Sequence, residues 1–179
     1  MLIGASGEAF DSPDYIYELK LDGVRCIAYL DPNAGTELRN KRNINVTATY
    51  PELGEIHKQV KKRCILDGAV LIIKDGKPDF SEMQRRALMG DPFKIRLAAN
   101  SLPVCFTAFD ILYLDKEPLI QKPLMERKKA SIGYGKRRNG TNGGIPDHRR
   151  SGYCLLQPNR GTKTGRDCSE TKNQQIRFW

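Results

Sequence analysis

The chain has no apolar run approaching the ~18 residues that a membrane span needs, and its mean hydropathy of −0.54 is that of a chain at home in water. Its first residues, Met1-Leu2-Ile3-Gly4-Ala5, lack a charged stretch followed by a long apolar one, so no secretory leader is expected. The five cysteines, at 26, 64, 105, 154 and 168, include no pair within four residues, which argues against a CxxC zinc site. No internal repeat is present. What remains is a chain of 179 residues, 39% of them hydrophobic, enough for one domain or one domain plus a tail. The odd cysteine count and apolar neighbours such as Cys26-Ile27-Ala28 and Cys64-Ile65-Leu66 predict reduced, buried thiols in a cytoplasmic protein.

Charge is unevenly spread. Residues 1–129 hold 20 Lys+Arg against 18 Asp+Glu, whereas residues 130–179 hold 10 against 3 and carry 8 of the 16 glycines. A net charge of +9 suggests a nucleic-acid partner. The imbalance lies in the last 50 residues, so two different kinds of sequence share the chain.

Hydrophobic patterning predicts an α+β layout. Strands are expected over Tyr15–Lys20, Arg25–Leu30 and Glu37–Arg39, with turns at Asp22-Gly23 and at Asp31-Pro32-Asn33-Ala34-Gly35. Pro51 to Arg63 reads as a helix, with Thr49 a candidate cap and Leu53, Ile56 and Val60 at helical spacing. A strand enters at Cys64-Ile65-Leu66 and resumes at Val70–Ile73, before a hairpin turn at Lys74-Asp75-Gly76-Lys77. A short helix capped by Ser81 is expected through Met89, a buried strand over Val104–Leu114, and a helix opening at Pro123. That helix breaks off at Ser131, where glycines and polar residues remove any apolar period.

The segment richest in chemistry is Glu18-Leu19-Lys20-Leu21-Asp22-Gly23-Val24-Arg25. It sets a lysine at a strand end beside a tight turn, with a cation five residues on. A lysine is a nucleophile only as the neutral amine, a form that a neighbouring cation such as Arg25 favours. Arg25 is equally suited to a phosphate or sugar oxygen. On pattern alone, an ordinary exposed hairpin lysine remains open.

Lys20-Leu21-Asp22-Gly23-Val24-Arg25 resembles the KxDGxR nucleotidyl-transfer motif of ATP-dependent DNA ligases, which RNA ligases and mRNA capping enzymes share. Phe10-Asp11-Ser12-Pro13-Asp14-Tyr15 resembles the lead-in of the bacterial ligases. Lys41-Arg42-Asn43 followed by Tyr50-Pro51-Glu52-Leu53 resembles their second motif, and Leu66-Asp67-Gly68 their third. Phe106 to Leu114 is similar to the adenine-site strand, and Pro123-Leu124-Met125-Glu126-Arg127-Lys128 to the helix after it. The resemblance implies an ATP-grasp-like nucleotidyltransferase domain of antiparallel sheets flanked by helices, incomplete, over residues 1–129. It implies that Lys20 attacks the α-phosphate of ATP, that Mg²⁺ assists, and that AMP then passes to a 5′-phosphate of nicked double-stranded DNA. It further implies that Glu18 contacts adenine, that Arg25 and Arg42 hold ribose or phosphate, and that Phe109 stacks on the base. A monomeric, cytoplasmic enzyme of DNA repair or recombination is the matching expectation.

Two departures predict that the ligase competence of this chain is poor. The family's third motif normally reads LDGE, but Ala69 stands in the last place and offers no side-chain oxygen, so no metal ligand is assigned. The family's following EGxVxK and KxK motifs are missing from residues 130–179; Gly161-Thr162-Lys163-Thr164-Gly165 lacks phosphate-loop spacing. Gly165 to Lys172 can be encoded so that reading from the second base of each codon yields EGIVAKR, the missing motif. Lys128-Lys129 can be encoded by a run of adenines, where a one-base slip is natural. Residues 130–179 are therefore expected to be a frameshifted, basic, glycine-rich and poorly ordered tail. A genuine basic arm on DNA phosphates is the competing account of that segment. For the chain as a whole, RNA-ligase or capping-type transfer, a non-catalytic remnant that binds ATP or DNA, and an unrelated α+β domain stay open.

Overall fold

The computed structural model describes residues 20–132 and 153–155. Glu18 and the predicted strand Tyr15–Lys20 lie almost wholly outside them, as does nearly all of the expected tail.

Two of the three expected Asp/Gly turns, Asp31 to Gly35 and Asp75-Gly76, join paired strands. β1 (Val24–Asp31) and β2 (Gly35–Asn40) form a hairpin whose turn is built by Asp31. Its carboxylate accepts from the backbone N–H of Asn33 at 2.9 Å and of Ala34 at 3.2 Å, which holds it below the ordinary carboxylate range. β3 (Cys64–Lys74) turns into the short β4 (Lys77–Pro78) through Asp75 and Gly76, at φ 51° and 76°. These two positive φ values explain the Asp-Gly pair. β5 (Val104–Leu114) turns into β6 (Glu117–Pro118), and β7 (Tyr153–Leu155) pairs with the other end of β5. Together they make an antiparallel sheet ordered β2-β1-β3-β5, with the short strands on β3 and β5.

Helices are α1 (Phe80–Ala87), α2 (Pro92–Ser101) and α3 (Leu124–Ile132). The cap of α1 is Asp79, which accepts from the N–H of Glu82 at 3.0 Å, and not Ser81. Asp79 wins because it stands one residue before the first helical position, in extended conformation, with its oxygen in reach of the third N–H. α2 has no counterpart among the elements expected from the patterning, although Asp91-Pro92 is a strong start signal: Asp91 accepts from Phe93 and Lys94, and Pro92 is at the first helical turn. The helix expected over 51–63 is instead a string of 3₁₀ turns, Thr47–Thr49, Pro51–Leu53 and Ile56–Gln59. Gly54 closes one turn and extended Val60 ends the next, so no α-helical run is established. Leu53, Ile56 and Val60 are nevertheless all buried, so the spacing reported a shared face and not the helix type.

The main core lies on one face of the sheet. Cys26, Ala28 and Leu30 of β1, Val70 and Ile72 of β3, and Phe106, Ala108 and Ile111 of β5 pack against Tyr50, Leu53, Ile56 and Met83. Inside it, Arg86 Nη2 donates to Glu52 at 2.8 Å, Glu52 accepts from the N–H of Val104 at 3.1 Å, and the guanidinium lies over the Tyr50 ring. This buried pair ties α1, a 3₁₀ turn and β5 in one register. Burial pushes the thiols of Cys26 and Cys64 up to about 12, in line with reduced core cysteines.

Candidate nucleotide-binding site

Alternation in the strands sends the odd-numbered residues of β1 and β3 to the opposite face. Arg25, Asp67, Ala69 and Leu71 all point there. The register sets Arg25 directly across from Ala69, the place where a family member would carry a glutamate. Arg25 turns to Asp67 instead. Nε donates to one carboxylate oxygen at 3.0 Å and Nη2 to the other at 2.5 Å. The Asp67 side chain is 6% exposed and that of Arg25 34%, so the acid is buried and the guanidinium stays within reach of solvent. The paired carboxylate raises the Arg25 pKa further and fixes it as a cation. Sequence reasoning gave Asp67 no role. The signal was an acid inside a buried strand, which must find a partner.

Two glycines of the motifs have steric reasons. A Cβ on Gly23 would meet Leu71 Cδ2 at 2.3 Å and the carbonyl of Val70 at 2.5 Å. A Cβ on Gly68 would meet the carbonyl of Thr107 at 2.4 Å and the Phe106 ring at 2.5 Å. Both are places where backbone and side chain approach too closely for any other residue.

Lys20 stands four residues ahead of β1, half exposed, with Nζ donating to Asp22 at 2.5 Å. Its partner is thus a carboxylate, and the cation expected to favour its neutral form, Arg25, is engaged elsewhere. Both members of the pair are about half exposed, so the contact is weak and opens readily to an incoming anion. Leu21, next to Lys20, packs with Phe109 against Ala69, Leu71 and Cys105. Phe109 reaches this face by the same alternation that turns Cys105 there, and a β-bulge begins at it. Asp67 is paired with Asp110 and Gly68 with Ala108, which leaves Phe109 as the extra residue. The bulge switches the parity of β5: Phe106 and Ala108 face the core before it, Ile111 after it. Arg42 sits in the exposed turn after β2, its N–H bonded to Asn40 at 2.9 Å. Asn40 pairs with Cys26, so the turn lies at the end of the sheet where Lys20 enters. Arg42 makes no hydrogen bond or ion pair to Lys20, Arg25 or Phe109. The structure therefore brings Arg25 and Phe109 to one face, with Lys20 joined to it through its neighbour Leu21 and Arg42 in the turn at that end of the sheet.

This order of elements and residues has counterparts. Residues 5–131 match the family described as ATP dependent DNA ligase domain. The chain belongs to this family. It is 33% identical over 121 residues to DNA ligase C of Mycobacterium tuberculosis, covering 67% of this chain and 33% of that protein. It is 33% identical over 129 residues to the SPbeta prophage-derived DNA ligase-like protein LigB of Bacillus subtilis, covering 72% and 44%. Among solved structures, a mycobacterial DNA ligase D complexed with ATP and MES matches with a TM-score of 0.56 and 30% identity, over 66% of this chain and 36% of that one. The chain thus spans a third to less than half the length of these relatives. The likeness establishes the fold expected from the motifs, an antiparallel nucleotidyltransferase sheet flanked by helices.

The face suits a nucleotide in kind: an aromatic ring and apolar side chains for a base, a guanidinium and an ammonium for anionic oxygens. For Mg²⁺, no group of three or more His, Cys, Asp or Glu side chains able to hold a metal occurs among the described residues. Asp67 is engaged by Arg25, and Ala69 brings no oxygen. Nor, among them, is any helix long and apolar enough to cross a membrane.

Proposed function

We propose that this ligase-family domain takes AMP from ATP onto Lys20 and is built to pass it to the 5′-phosphate of nicked double-stranded DNA. The Lys20 amine, once it has lost its proton, forms a bond to the α-phosphorus as the bond to pyrophosphate breaks. Arg25, held flat by Asp67, orients phosphate or sugar oxygens, Arg42 supplies charge at the rim, and Glu18 and Phe109 receive the adenine. Mg²⁺ would arrive with the triphosphate, where few protein ligands are needed. A monomer acting in the cytoplasm, in DNA repair or recombination, is the setting we infer. The observation that carries the reading is the sharing of one sheet face by Arg25 and the bulged Phe109, beside the entry of Lys20.

Incubation with α-labelled ATP and Mg²⁺ tests it. A label stable to alkali, released by acid and lost in Lys20→Met supports the transfer. Absence of label with ATP binding retained favours a second reading, a nucleotide-binding remnant, to which Ala69 opposite Arg25 lends support. We further propose that residues 130–179 are read out of frame and that the adenylation domain proper covers residues 1–129. Coding DNA that does not yield EGxVxK from the second base of the tail codons refutes the frameshift.

A further inference from the structure

α3 holds the Phe109 bulge from outside the sheet. On its outer edge, β5 carries β7 at Phe106–Ala108 and β6 at Tyr113–Leu114. Between them lie Phe109 to Leu112, and α3 reaches the first two of these through its side chains. Lys128 Nζ donates to the carbonyl of Phe109 at 2.5 Å. Arg127 grips the Asp110 carboxylate through Nε at 2.9 and 3.2 Å and Nη2 at 2.8 Å. Its Nη1 donates to the carbonyl of Lys122 at 2.5 Å. Asp110 in turn accepts from the N–H of Ile111 at 2.9 Å. A bulge disrupts ladder hydrogen bonds, and buried backbone groups left over must find new partners. Here consecutive residues of one helix meet consecutive residues of the bulge.

We propose that Lys128 and Arg127 are positioning residues that aim the Phe109 ring at the base of the bound nucleotide. This rests on the reading of Phe109 as the purine platform. The ring's direction follows from the orientation of the Phe109–Asp110 peptide, and that peptide is tethered on both sides by α3. Loss of the Lys128 tether lets the peptide rotate and lowers the population of the stacking orientation.

The test uses the 179-residue chain and 2-aminopurine riboside triphosphate, whose fluorescence is quenched on stacking against an aromatic ring. Lys128→Met keeps the stem and removes the donor. It is expected to weaken binding roughly three- to tenfold and to reduce the quenching at saturation. In a Phe109→Ala background the same substitution is expected to change neither. Arg127→Lys, which keeps the charge and loses the two-pronged grip, is a second probe with the same expected signature. Unchanged binding and quenching in both variants overturns the inference, as does an equal loss with Phe109 absent. If Phe109→Ala itself binds and quenches like the parent, the stacking reading beneath it falls, a result distinct from the other two.

Discussion

Replacing Asp67 with asparagine keeps the side chain's volume and removes its charge. In the parent, both carboxylate oxygens are taken by Arg25, at 3.0 and 2.5 Å. The amide can accept only one of these bonds and turns an NH₂ toward a guanidinium. Breaking a fully buried pair costs about 3–5 kcal/mol, and a hydrogen bond to a charged group about 1.5–3 kcal/mol. Arg25 is 34% exposed, so water recovers part of its solvation. The expected loss is therefore about 2 kcal/mol, a fall in Tm of roughly 8 °C for a domain of this size. Urea unfolding followed by far-ultraviolet circular dichroism reads it, with the slope unchanged if the native state keeps its extent. Arg25→Met should cost more, because it takes the guanidinium from the buried Asp67 carboxylate, and the double variant should cost less than the two single changes added together, because the two act as one unit. A loss below about 0.5 kcal/mol for Asp67→Asn, or strict additivity, refutes the claim that this pair holds the site face together.

Gly68→Ala is expected to cost more than about 2 kcal/mol by the same assay, since its Cβ has backbone and an aromatic ring within 2.5 Å; tolerance would mean that β3 and β5 separate easily beside the bulge. Stability should also fall in alkali. Unfolded thiols lose their protons near 9.0, while folded Cys26 and Cys64 hold theirs to about 12, so the unfolded state binds fewer protons in that window. Each thiol then contributes a loss of about 1.4 kcal/mol per pH unit between those values, with its stabilisation fully present below pH 9.0. Urea midpoints across that range check this, and Cys64→Ala should flatten the slope.

Local chemistry decided much of this protein. Asp75-Gly76 specifies a turn with two positive φ values, and the apolar run Val104–Leu114 is a strand between those same residues. The motif from Lys20 to Arg25 carries the family's signature locally, because nucleotidyl transfer demands particular residues in a short span. Further features depended on contacts between distant residues. Leu53, Ile56 and Val60 share a face in 3₁₀ turns as readily as in an α-helix, since burial constrains direction more than hydrogen-bond pattern. That Arg25 answers to Asp67, 42 residues on, follows from the β1–β3 register, which no local pattern contains. Phe109 shares the alternation of Cys105, but the bulge that leaves it without a partner residue on β3 exists only as a mismatch between β3 and β5, where α3 meets it. Residue types set what chemistry was possible; strand pairing, a cooperative property of segments far apart in the chain, set which of those residues meet.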